Sequence, residues 1–156
     1  MGQHALAVAH FEEALRVEPE NGEVLTNHGS ALTSLGRYDE AEALLRRAVR
    51  LAPNDVNARL ESAILAFRRG LYAQAEVELG WVCANAPEHG TAHYYRGEAL
   101  NRMGKFREAE AMLERAAELL PDDPRPVYTL GHLYDRRGAP AEATIMYRRA
   151  RDLQAP

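Results

Sequence analysis

The chain has little of what disulfide cross-linking, membrane insertion or nucleic-acid binding requires. Its single cysteine, Cys83, can form no internal disulfide, which is typical of a reducing compartment. No apolar run approaches the roughly 18 residues of a membrane span, and His10, Glu12 and Glu13 interrupt the start where a signal peptide would be apolar. The 19 basic residues do not outnumber the 23 acidic ones, so the net charge of -4 attracts neither phosphate backbones nor anionic membranes. We therefore expect a cytoplasmic protein with no nucleic-acid or membrane partner.

Motifs for catalysis or cofactor binding are equally scarce. The three serines are Ser30, Ser34 and Ser62, and none has an evident base and orienting acid. The stretch from Gly97 to Lys105 has the wrong glycine spacing for a phosphate loop and no hydroxyl residue after the lysine. His89 and His93 stand four residues apart, but no cysteine or carboxylate completes a metal-ligand set. We predict a protein that is not an enzyme and holds no metal or cofactor.

What the chain does have is an interval of 34 residues. It separates four prolines, five glycines and five alanines: Pro19, Pro53, Pro87, Pro121; Gly2, Gly36, Gly70, Gly104, Gly138; Ala7, Ala41, Ala75, Ala109, Ala143. A fixed period of this length indicates one supersecondary unit that is copied and stacked. The fold is therefore expected to be an extended array, with its function on a surface.

Each period predicts a hairpin of two helices. Helical apolar spacing precedes the glycine and resumes after it until the next proline. The glycine suits a helix end at positive φ, and the proline stops the second helix because it lacks an N–H. A small residue midway along each first helix lets the two backbones approach closely; these residues are Gly29, Ala63, Gly97 and Gly131.

The order of small, apolar, glycine, aromatic, alanine and proline positions resembles the tetratricopeptide repeat family. It is carried by Gly29, Leu32, Gly36, Tyr38, Ala41, Leu45, Ala48 and Pro53, and again by Gly97, Leu100, Gly104, Phe106, Ala109, Leu113, Ala116 and Pro121. The resemblance implies an all-α, right-handed superhelical solenoid of helix-turn-helix repeats with nine helices. Residues 22–55, 56–89, 90–123 and 124–156 are predicted to form four repeats, and residues 1–21 the second helix of a partial one.

The resemblance also implies where a partner would bind. In that family the first helices of successive repeats line a concave groove that holds a peptide. The equivalent side chains here recur as one stripe on each helix, and the predicted groove residues are Leu60, Ile64, Phe67, Tyr94, Glu98, Asn101, Tyr128 and His132. An exposed apolar patch with aromatic residues is typical of a partner site. The alternative is that these side chains pack between adjacent first helices.

Arginines are predicted to form a rim beside this stripe. Arg68, Arg102 and Arg136 share one repeat position near the end of a first helix, and Arg125 lies at the start of another. They could pair with acidic groups of a ligand, or simply compensate the helix dipole. Trp81 stands where the family has a polar, outward-facing residue, and it could either anchor a contact on the convex side or pack against the neighbouring helix. Arg59, His93 and Arg96 depart from the family pattern without a sequence-level explanation.

The predicted function is a non-catalytic module that binds a peptide or protein segment in the groove through apolar and aromatic contacts. One alternative is an assembly scaffold, a possible homo-oligomer that associates through its uncapped terminal helices. A second alternative is a fragment of a larger enzyme or complex.

Overall fold

The fold consists of helical hairpins joined by short turns, as described by a computed structural model for residues 2–155. The helices are α1 (Gly2–Val17), α2 (Gly22–Ser34), α3 (Tyr38–Leu51), α4 (Val56–Arg68), α5 (Tyr72–Asn85), α6 (Gly90–Arg102), α7 (Phe106–Leu119), α8 (Pro124–Arg136) and α9 (Pro140–Gln154). These residues contain no strand. The all-α class and the nine helices are thus confirmed over the part of the chain that is described.

The periodic glycines make the turn inside each hairpin. Gly36 has a φ of 76°, and the three glycines that follow at the same interval have φ between 73° and 79°. At this first turn the N–H of Arg37 donates to the carbonyl of Leu32 at 2.9 Å, and that of Gly36 donates to Thr33 at 3.1 Å. This pair of bonds satisfies the last carbonyls of α2, and a residue with a Cβ would be strained at that φ.

The first helix of each hairpin begins at a capping side chain. Asn21 and Asp55 accept hydrogen bonds from backbone N–H groups three residues later, at 3.1 and 2.8 Å. Asp123 accepts one from the N–H of Arg125 at 2.9 Å. The preceding second helices end two residues before Pro53, Pro87 and Pro121, as the missing N–H of proline requires.

The chain divides into two compact units, of which unit 1 extends to Gln74 and unit 2 begins at Ala75. The core of unit 1 lies between α1, α2, α3 and α4, and one of its clusters is Val8, Ala31, Leu32, Ala41, Leu45 and Leu65. Close packing inside a hairpin depends on the small residue of the first helix. A Cβ at Gly29 would lie 2.5 Å from Cγ of Leu45, too close for any real contact.

Unit 2 repeats this arrangement with its own core. One cluster joins α6, α7 and α8 through Leu100, Ala109, Leu113, Leu130 and Leu133. Another joins α7, α8 and α9 through Ala117, Val127 and Ala150. The two first helices of this unit, α6 and α8, lie side by side and carry most of the predicted site residues.

Candidate interaction face

In unit 2, three polar contacts connect the first helices α6 and α8. The guanidinium carbon of Arg125 lies 5.0 Å from the centre of the Tyr94 ring. Arg136 donates from Nη1 to both the backbone carbonyl and the side-chain oxygen of Asn101, each at 3.1 Å. Between these two contacts, the hydroxyl of Thr129 on α8 donates to the carboxylate of Glu98 on α6. The three contacts form a row on the α6–α8 face, a name used here for the predicted site residues Tyr94, Glu98, Asn101, Tyr128 and His132. Asn101 is only 5% exposed, so it offers a partner little surface.

Glu98 is the centre of this row. Its Oε1 accepts a 2.7 Å hydrogen bond from Thr129 and a longer one, 3.5 Å, from the hydroxyl of Tyr94. Its Oε2 lies 3.9 Å from Nε of Arg102, and only 14% of its side chain is exposed. Burial, and then the charge of Glu98, raises the pKa of Tyr94 to about 12, so the phenol remains a hydrogen-bond donor.

The predicted rim arginines of unit 2 bond within the chain. Arg125 holds the Asp123 carboxylate with two nitrogens, the shorter contact being 2.6 Å, and these hydrogen bonds lower the pKa of Asp123. Arg136 also lies with its guanidinium carbon 4.8 Å from the centre of the Phe106 ring. Arg68, in unit 1, is exposed at the end of α4. The intramolecular contacts of Arg125 and Arg136 position α8 against α6.

An exposed aromatic cluster extends the face towards α9. The rings of Tyr128 and His132 meet edge to face at 4.7 Å, and each lies 5.5 Å from the ring of Tyr147. The hydroxyl of Tyr147 donates to Asp135 at 2.6 Å and lies 3.2 Å from Nδ1 of His132. The Tyr128 side chain is 49% exposed. The stripe on the first helices predicted Tyr128 and His132 but not Tyr147, because Tyr147 lies on a second helix, α9.

The predicted groove residues of α4 behave differently. Leu60 and Ile64 are only 4% and 9% exposed, so the expectation that they form a solvent-facing patch is wrong. Apolar side chains on a packed helix gain more from burial between helices than from facing water. Phe67 is half-buried, and its ring meets that of Tyr72 edge to face at 5.4 Å.

His93 and Arg96, two of the residues that depart from the family pattern, have partners in the structure. Nδ1 of His93 lies 3.6 Å from Sγ of Cys83, and both residues are buried. Arg96 donates from two nitrogens to one oxygen of Glu76, at 2.9 and 3.1 Å. Burial is the main cause that raises the pKa of the Cys83 thiol, which is the opposite of what an activated nucleophile needs.

The structure also gives the surroundings of Arg59 and Trp81, the other residues that depart from the family pattern. Arg59 donates from Nε to the carbonyl of Pro53 at 2.6 Å, which joins the start of α4 to the turn before it. Trp81 is half-buried on α5. The described residues contain no group of three or more His, Cys, Asp or Glu side chains that could hold a metal ion. Nor is any helix among them both long and apolar enough to span a bilayer.

The alternation of paired helices, positive-φ glycines and periodic prolines defines a helical-repeat protein. Two family models described as tetratricopeptide repeat match the chain, one over residues 1–56 and the other over residues 32–94 and 100–155. The chain belongs to the tetratricopeptide repeat family. Such repeats are typically non-catalytic, and membership supports a general role as a protein-interaction scaffold.

Solved structures agree with this fold. MamA from Desulfovibrio magneticus RS-1 is 24% identical with a TM-score of 0.83, and the match covers 98% of this chain and 86% of that one. Another MamA crystal structure is 22% identical with a TM-score of 0.80, covering 98% and 90%. At this identity the likeness shows the fold alone. No curated protein matches the chain significantly.

Proposed function

We propose that the α6–α8 face of unit 2 binds an extended or helical segment of a protein partner, through aromatic contacts flanked by polar groups. The observation that carries this proposal is the half-exposed ring of Tyr128, which lies edge to face against the exposed His132. Large rings held rigidly at a surface are enriched among residues that dominate binding energy. Phe67, half-buried on α4, is a further candidate contact on unit 1.

Preorganisation supports the same assignment. The hydroxyl of Tyr147 fixes the aromatic cluster by donating to Asp135. The hydroxyl of Thr129 fixes the neighbouring carboxylate of Glu98 by donating to it. A partner would therefore lose little free energy in ordering these side chains. An aromatic contact with Tyr128 would contribute about 0.5–1.5 kcal/mol beyond the area that it buries. Arg102, Arg125 and Arg136 are exposed beside the row, and an acidic ligand would contact them by sharing them with their partners within the chain.

The proposal is tested by selecting peptides from a displayed library on the immobilised chain and measuring their affinities by fluorescence anisotropy. The double variant Tyr128→Ser, His132→Ser should weaken the selected peptides by about tenfold or more, since it removes the exposed rings. Circular dichroism should show a thermal melt close to that of the parent, because both residues are exposed and the variant loses only ring contacts at the surface. Undiminished affinity in the double variant would contradict the proposal.

Self-association through terminal helices is a second candidate, favoured by two exposed apolar side chains. Leu6 on α1 is 65% exposed and Ile145 on α9 is 58% exposed. Ile145→Ser is therefore the matched control in the same experiment. If this variant keeps peptide affinity but reduces the sedimentation coefficient at high concentration, the terminal helices mediate assembly and the α6–α8 face is a separate site.

A further inference from the structure

A buried histidine without hydrogen bonds lies in unit 1. His28, on α2, is 6% exposed. Its Nδ1 and Nε2 are the buried side-chain nitrogen or oxygen atoms that find no partner among the described residues. Leaving such a group unsatisfied is costly, and the cost rises greatly if the group becomes charged. The imidazole is therefore tolerated in the folded protein mainly in its neutral form.

His28 lies where α1 packs against the α2–α3 hairpin. Its ring is 5.8 Å from that of Phe11 on α1, with an angle of 31° between the planes. The other apolar contacts of α1 include Val8, which belongs to one core cluster of unit 1, and Leu15, which packs against another. Phe11, Val8 and Leu15 thus attach α1 to the rest of unit 1, and Phe11 does so by packing against the ring of His28.

Charged groups face the imidazole from two directions without bonding to it. Glu12 on α1 is exposed and acts to raise the pKa of His28, whereas Arg37 at the start of α3 acts to lower it. Glu40 is held by Arg37 through two hydrogen bonds of 2.8 and 2.6 Å. Burial outweighs these charges, and the net result is a pKa below the usual 6.5.

We propose that His28 is an acid-operated latch for α1, such that protonation of its imidazole releases α1 from the α2–α3 hairpin. With α1 detached the ring is hydrated and takes up a proton near its ordinary pKa, 6.5. Because the pKa is lower when α1 is docked, docking is fully stable above pH 6.5 and loses stability as the pH falls below it. Release would expose the apolar surface of the α2–α3 hairpin to a partner.

The test is hydrogen exchange of the full chain between about pH 7.5 and 5, with protection factors referred to the intrinsic exchange rate at each pH. Protection of the α1 amides should fall severalfold below pH 6.5, with a slope no steeper than about tenfold per pH unit for one proton. Amides of α8 in unit 2 serve as the internal reference and should keep their protection.

Two variants isolate the imidazole. His28→Leu should abolish the acid-dependent loss in α1, because it fills the same apolar site without a titrating group, and His28→Gln provides the same information if the leucine variant is poorly folded. The control His10→Gln, at an exposed position of α1, should behave as the parent does. An NMR titration that gives His28 a pKa of 6.5 or above would overturn the latch. So would an unchanged acid response in the leucine or glutamine variant, or equal losses in α1 and α8.

Discussion

The first helices of unit 1 and unit 2 pair in different ways. The backbones of α2 and α4 approach closely over more of their length than those of α6 and α8. The residues of α2 that are equivalent to Tyr94, Glu98 and Asn101 are Thr26, Ser30 and Thr33. Both threonines are buried and donate to their own helix, to the carbonyls of Gly22 and Gly29, at 2.8 and 2.9 Å.

Three equivalent positions in the repeat thus carry different side chains in the two pairs of first helices. Small side chains bonded to their own backbone present a smooth surface, which permits close packing. In unit 2 the larger side chains of Tyr94 and Glu98 occupy the equivalent places and reach Arg125 and Thr129 on α8. Side chains that reach from α6 to α8 thus replace close backbone packing in unit 2, and the proposed site lies there because the rings of Tyr128 and His132 are exposed beside them.

Exchanging the residues at positions 26 and 94 should have the largest effect on the free energy of unfolding. Thr26→Tyr would force a ring into the closely packed α2–α4 contact and lower the free energy of unfolding by about 3 kcal/mol. The reciprocal change, Tyr94→Thr, should cost about 2 kcal/mol, because it removes the ring that contacts Tyr95 at 5.1 Å and leaves a partial cavity.

Urea unfolding of the two variants measures these losses, and native-state hydrogen exchange assigns each to its own unit. The comparison would fail if Thr26→Tyr were neutral, since that result would mean that α2 and α4 have room for a large side chain.

Removing the central carboxylate should have an intermediate effect. Glu98→Ala leaves Thr129 without its acceptor and is expected to lower the free energy of unfolding by about 2 kcal/mol. The equivalent substitution in unit 1, Ser30→Ala, should change it by less than about 0.5 kcal/mol, because Ser30 is only partly buried and makes no side-chain hydrogen bond to α4 within residues 2–155. Urea unfolding of this matched pair provides the measurement, and equal losses would show that the bridge across α6 and α8 adds no stability.

The regular part of this fold could be predicted from sequence because its causes are local. Gly36 defines a turn through its own positive φ. Pro53 defines a helix end because it lacks an N–H. The interval of 34 residues then fixed the succession of helices. Periodicity also placed Tyr94 and Tyr128 on one side of their helices.

The candidate site was less predictable because burial and pairing depend on residues far apart in sequence. The stripe that includes Leu60 and Ile64 shows which side of α4 they occupy, but not that other helices cover them. The repeated arginines were visible, yet the Asn101 partner of Arg136 lies 35 residues away. His28 gave no signal, because a histidine in an apolar stripe reveals nothing about its hydrogen bonds.

The smallest expected effect concerns the outer contact between α6 and α8. Arg136→Ala removes two hydrogen bonds to Asn101 and the contact with the Phe106 ring, at a cost of about 1 kcal/mol in the free energy of unfolding. Arg136→Lys should retain the charge and lose part of this stabilisation, because an ammonium lacks the planar, weakly hydrated guanidinium that lies over the Phe106 ring.

Arg107→Ala, at an exposed position of α7, is the control and should change the free energy of unfolding by less than about 0.5 kcal/mol. Urea unfolding distinguishes the three variants if they are measured in parallel. If lysine and alanine at position 136 were equally harmful, the guanidinium group and not its charge alone would be what stabilises this contact. If both were neutral, α8 would be held to α6 mainly by its apolar core and by Thr129, and the rim arginines would be available to a ligand.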